Sequence, residues 1–151
     1  MATLFTLPTS RLPAAGFVLL ALLSVLGCGS GQSVYPVQGQ IVYADGSPAT
    51  DLAGCTVTFE WVAPTAMAEQ AGIGGWGEVQ ADGTFTIGTY KPADGAVAGK
   101  HRVAISPPEQ EVDGPIVESP VASRYGSVET SGLEVEVARG TKKITLTVDR
   151  K

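Results

Sequence analysis

The chain has 151 residues, with 10 basic and 15 acidic side chains and a formal charge of −5. That length suits one domain and not comfortably two, and the acidic excess repels phosphate backbones and anionic headgroups, which argues against nucleic-acid binding and against a basic membrane patch. The 19 glycines and 10 prolines punctuate short apolar runs, a pattern of a turn-rich all-β chain rather than of disorder.

The N-terminus reads as an address. Arg11 precedes an apolar run from Ala14 to Gly27. A helix that crosses a bilayer takes about 18 or more such residues, so the run reads as the helical core of an export signal. It ends in Val25-Leu26-Gly27-Cys28, followed by Gly29-Ser30. This looks like a lipobox, with a branched apolar residue at −3, a small one at −1 and the cysteine at +1. The chemistry expected at Cys28 is a diacylglyceryl thioether on the sulfur, cleavage before the residue, and acylation of the freed amine. Each buried CH₂ contributes roughly 0.8 kcal/mol, so several chains on one residue make a lasting anchor. The alternative is a plain secretory signal in which the cysteine occurs by chance. Gly29 to Ser33 form a short polar leash. No Asp follows Cys28, which favours the outer membrane, on its periplasmic or surface side. The expected partition is a signal peptide at 1–27, a lipidated cysteine and linker at 28–34, and a domain at 35–151.

The rest of the chain alternates with a period of two. Val37, Gly39, Ile41 and Tyr43 mark a first strand, ended by the turn Asp45-Gly46-Ser47-Pro48. Cys55, Val57 and Phe59 mark a second, and Pro64 to Gly75 is a long connection. Gly77 to Gln80 and Thr84 to Thr89 flank Asp82-Gly83, a hairpin signal. His101 to Ser106 follows with Val103 and Ile105 inward. Pro107 to Tyr125 holds Pro107, Pro108, Pro115 and Pro120, which confines it to a loop or an edge segment. Leu133, Val135 and Val137, then Ile144, Leu146 and Val148, close the series. Seven such strands, with no amphipathic helix after Cys28, predict an all-β fold: a seven-stranded Greek-key β-sandwich of prealbumin or immunoglobulin type.

Three segments carry a family resemblance: Val37 to Pro48 (VQGQIVYADGSP), Ala81 to Phe85 (ADGTF) and Asp94 to Val103 (DGAVAGKHRV). In that order and spacing, with Arg124-Tyr125 and Thr130 to Leu133 behind them, they resemble small bacterial lipoproteins with a carboxypeptidase-regulatory-like, or transthyretin-like, domain. The resemblance spans about residues 35 to 148 and departs at His101, where the family usually has an aromatic residue. It implies a prealbumin-like sandwich on a lipid tether; such a domain accompanies carboxypeptidases and does not itself cut peptides. The related hydrolases of purine breakdown need several histidines and a C-terminal Tyr-Arg-Gly-Ser. This chain ends Val148-Asp149-Arg150-Lys151, so that activity is not expected.

No catalytic, cofactor or metal constellation is expected. His101 is the single histidine, and a zinc site needs further nitrogen or carboxylate ligands in a preset geometry. Cys55, in register with Val57 and Phe59, reads as a core residue rather than a nucleophile. The Asp-Gly pairs at 45, 82, 94 and 113 read as turns and lack the spacing of a calcium loop. Trp61, Trp76 and Tyr90 are the candidate ligand platform, with Trp61 taken at an outward or end position; the alternative is that they cap the core. The expectation is therefore a membrane-anchored, non-catalytic sandwich at the cell envelope. Its partners are the bilayer, through the acyl chains, and an envelope protein or a glycan, with no nucleic acid and no cofactor. A carbohydrate-binding module using exposed aromatics is the alternative.

Overall fold

The computed structural model of the chain describes residues 32–108, 119–141 and 143–151. The expected signal segment with Cys28, and the Asp113-Gly114 turn with Pro115, lie outside these residues.

Alternating apolar side chains need a partner surface, and here two sheets supply it to each other. Among the described residues the strands are β1 (Val34–Tyr35), β2 (Gln38–Tyr43), β3 (Thr56–Trp61), β4 (Gly74–Glu78), β5 (Thr84–Thr86), β6 (Ala96–Val97), β7 (Gly99–Ser106), β8 (Leu133–Val137) and β9 (Lys143–Val148). One sheet has the order β5-β2-β9 and the other β4-β3-β7-β8, with β1-β6 as a small pair beside them. Three short 3-10 turns, Thr50–Leu52, Thr65–Gln70 and Ser123–Gly126, sit in the connections. Among the described residues the protein is an all-β sandwich with no closed barrel.

The core is made of the residues that the period of two turns inward. Ile41 and Tyr43 from β2, Phe85 from β5 and Ile144, Leu146 and Val148 from β9 meet Val57, Phe59, Val103, Ile105 and Val137 from the facing sheet. Phe59 and Phe85 touch edge to face across the interior, with ring centroids 6.1 Å apart. Gly39 takes an inward position of β2 because the Phe85 ring lies over it: a Cβ there would stand 2.1 Å from Phe85 Cζ.

Each of the seven expected runs contains a strand, but the run Thr84 to Thr89 is strand only to Thr86 and the run Gly77 to Gln80 only to Glu78. These two expected hairpin partners lie in different sheets. Two further strands were not visible in the pattern, because β1 and β6 pair over two residues each, Val34 with Val97 and Tyr35 with Ala96. Val34 therefore belongs to the sheet structure and not to the linker. The expected strand at Gly77 to Gln80 begins earlier, at Gly74, where glycines leave no alternation to read. β2 and β9 run parallel, in register from Gln38 with Lys143 to Tyr43 with Val148, which joins the two ends of the domain.

The turns follow their sequence chemistry. Asp45 Oδ1 accepts the Ser47 N–H at 2.8 Å and Asp82 Oδ1 accepts the Thr84 N–H at 3.0 Å. These local bonds hold each carboxyl below the usual aspartate range; in both, the largest cause is the side-chain hydroxyl two residues on. The motif Arg124-Tyr125 is a structural lock. The Tyr125 hydroxyl accepts the Asp149 backbone N–H at 3.1 Å and an Arg124 guanidinium N–H at 2.7 Å, which fastens the last 3-10 turn to the end of β9, much as a tyrosine corner does.

Candidate functional site

The three aromatic residues expected to form a platform do not come together. Trp61 is buried, 4% exposed, and its indole Nε1–H donates to the Ala98 carbonyl at 3.0 Å. Of the two positions expected for Trp61, outward or end, the outward one is therefore corrected, and the capping alternative describes it. The parity of β3 carries Val57, Phe59 and Trp61 to the same inward face, so the indole closes one end of the core and has no free face. Trp76 and Tyr90 behave differently. They are 62% and 53% exposed, and both line a single groove of about 310 Å³.

The groove follows from the glycines around Trp76. In β4, Gly75 and Gly77 face inward while Trp76 and Glu78 face outward. The inward places have no room for a side chain: a Cβ at Gly77 would lie 2.1 Å from the Thr86 carbonyl oxygen, and one at Gly75 would lie 2.6 Å from the Ile87 side chain. The bare backbone lets β4 lie close against the segment after β5. A two-way pair of backbone hydrogen bonds between Trp76 and Gly88 closes this contact. The outward Trp76 indole then stands beside the loop Thr89–Ala93.

That loop is held from below by one carboxylate. Asp94 Oδ1 accepts the Thr89 N–H at 2.7 Å, and Oδ2 accepts the Tyr90 and Lys91 N–H groups at 3.2 and 3.0 Å. Partial desolvation pushes the Asp94 carboxyl up, but the three backbone donors outweigh it and the net shift is down. The loop that presents Tyr90 is thus fixed by donors that prefer the ionised form. Glu78, Thr86, Lys91 and Pro92 complete the walls. None of these was singled out in the sequence, although Glu78 shares the strand parity of Trp76.

The other singled-out residues lie elsewhere. His101 is in the core, 1% exposed, with Nε2 at 2.7 Å from the Val97 carbonyl oxygen and its ring 5.6 Å from that of Phe59. A carbonyl only accepts, so Nε2 carries the proton. Burial holds the imidazole below its usual pKa. Cys55 is a buried free thiol whose pKa is raised by burial first and by Asp51 second, the reverse of what a nucleophile needs. Among the described residues no three His, Cys, Asp or Glu side chains gather as a metal set, and no helix is long and apolar enough to cross a membrane.

Fold and site together describe a β-sandwich that presents an aromatic-walled groove at the junction of its two sheets. No family model, no curated protein and no solved structure matches the chain.

Proposed function

We propose that the protein is an exported lipoprotein, held at a membrane of the cell envelope by acyl chains on Cys28, whose sandwich is a non-catalytic interaction module. The observation that carries the module reading is the pair Trp76 and Tyr90: two large aromatic side chains, more than half exposed, on the walls of one groove. Exposed aromatics gathered in a concave place mark contact surfaces. The tether reading rests on the apolar run that ends in Val25-Leu26-Gly27-Cys28.

Two measurements test this. Cys28→Ser should move the protein from the membrane fraction to the soluble fraction and remove acyl labelling; a variant that stays in the membrane would overturn the tether. In intact cells, a photo-crosslinking residue at position 90 should give adducts that the same residue at the exposed position 134 does not. Equal adducts from both positions would overturn the groove as the contact site.

A further inference from the structure

The groove at Trp76 and Tyr90 is one end of a longer track. Depressions of about 310, 420 and 380 Å³ adjoin one another, and Thr86 lines all three. The second is bounded by Pro36, Gln38 and Ala93, and the third by Gln38, Thr84 and Lys143. From the aromatic end the track therefore passes onto the outward face of the β5-β2-β9 sheet.

The chemistry of that face differs from that of the other sheet's outward face. Its cross-strand rows are Thr86, Gln38 and Lys143, then Thr84, Gln40 and Thr145, with Val42 beside Thr147. Apart from Val42 these are amides, hydroxyls and one ammonium, with no carboxylate among them, on a protein with 15 acidic side chains. The outward face of the other sheet is, by contrast, charged. It carries Glu60 paired with Arg102 and Lys100 paired with Glu134. Gln amides and Thr hydroxyls each donate and accept hydrogen bonds, as sugar hydroxyls do. Exposed indole and phenol faces offer apolar area to the C–H faces of a pyranose ring. At the aromatic end Glu78 and Lys91 oppose each other in sign, and Lys143 at the far end is the one further charge along the track; a single exposed ammonium in water attracts an anion only weakly.

We propose that the track from Trp76 and Tyr90 across Thr86 and Gln38 binds a neutral oligosaccharide, with Trp76 as the stacking platform and the Gln/Thr rows as the hydrogen-bonding floor. This rests on the reading of the sandwich as an interaction module and names its ligand class. A proline-rich peptide would also suit an aromatic groove bounded by Pro36 and Ala93, but the Gln/Thr rows beyond it offer donors and acceptors that prolines, which lack an N–H, use less fully than sugar hydroxyls do.

The test uses the full acylated chain in a detergent without a sugar headgroup, titrated with the hexaoses of cellulose, xylan, starch and chitin. Isothermal titration calorimetry reports binding in every variant, with tryptophan emission as a second signal in the unsubstituted chain, because Trp76 is exposed and Trp61 is buried. The expected result is a saturable change with at least one hexaose, insensitive to salt because the ligand is uncharged. Trp76→Ala should weaken it about tenfold and Gln38→Ala severalfold, with melting temperatures unchanged because both side chains are exposed. Binding by none of the four, affinity unchanged in both variants, or binding of a polyproline peptide in place of the sugars would each overturn the proposal. Membrane retention of the same protein reads the tether separately, so a retained chain that binds no sugar defeats the ligand and leaves the lipoprotein reading standing.

Discussion

Trp76 and Gly88 exchange two backbone hydrogen bonds, each 3.0 Å long, where β4 of one sheet meets the segment that follows β5 of the other. Position 88 has no side chain because the groove loop folds over it: a Cβ there would stand 2.4 Å from the Lys91 carbonyl oxygen and 2.7 Å from the Ala93 nitrogen. One close approach thus joins the sheets on one side and sets the groove wall.

Gly88→Ala should therefore disturb stability and site together. Forcing a methyl group into that space should cost about 1–3 kcal/mol, measured by denaturant unfolding, and should shift Trp76 emission in the folded protein. An unchanged midpoint with unchanged emission would show that the loop gives way freely.

Asp94 fixes the Tyr90 loop without contributing much to global stability. Asp94→Ala should raise amide exchange at Thr89, Tyr90 and Lys91, the three donors it satisfies, while total stability falls by about 1 kcal/mol or less. The pH dependence has a definite sign. The carboxyl is held below the ordinary value of 3.8, so its contribution is complete above that value and is lost as pH falls through the folded-state pKa. Protection of these three amides, taken relative to their intrinsic exchange rates, should fall only in acid more extreme than pH 3.8.

The Gly39–Phe85 contact predicts a coupled pair. Gly39→Ala should destabilise by about 1–3 kcal/mol through overpacking against the ring, and Phe85→Ala by about 3–5 kcal/mol through the cavity it leaves. Because the new methyl occupies part of that cavity, the double variant should lose less than the two single losses combined. Strict additivity in a double-mutant cycle would contradict the packing described.

His101 makes the domain sensitive to mild acid. Its folded-state pKa lies below the ordinary 6.5 because burial disfavours the imidazolium. Below that value the unfolded chain binds a proton that the folded chain refuses, so stability falls as pH drops from 6.5 toward the folded-state pKa. His101→Phe should keep the packing against Phe59 and flatten this part of the pH profile, at the cost of leaving the Val97 carbonyl without its donor. An unchanged slope between the two proteins would remove His101 as its source.

What could be read from the sequence was local. Alternation placed Val57, Phe59, Val103, Ile105 and Leu146 inside, and Asp45-Gly46 and Asp82-Gly83 marked turns, because side-chain parity and turn geometry depend on a few neighbouring residues. The inward parity of Trp61 was also present, two places after Phe59, but a strand end hides which face a residue takes. Other relationships had no local signal. The parallel pairing of β2 with β9, the two-residue strands β1 and β6, and the meeting of Trp76 with the Tyr90 loop all bring together residues far apart in the chain. Gly75 and Gly77 show no parity of their own; only the Thr86 and Ile87 atoms packed against them decide that Trp76 points to solvent. Sequence alone thus determines which side chains seek burial, while tertiary structure decides which aromatic is left outside, because that depends on where the facing sheet leaves no room.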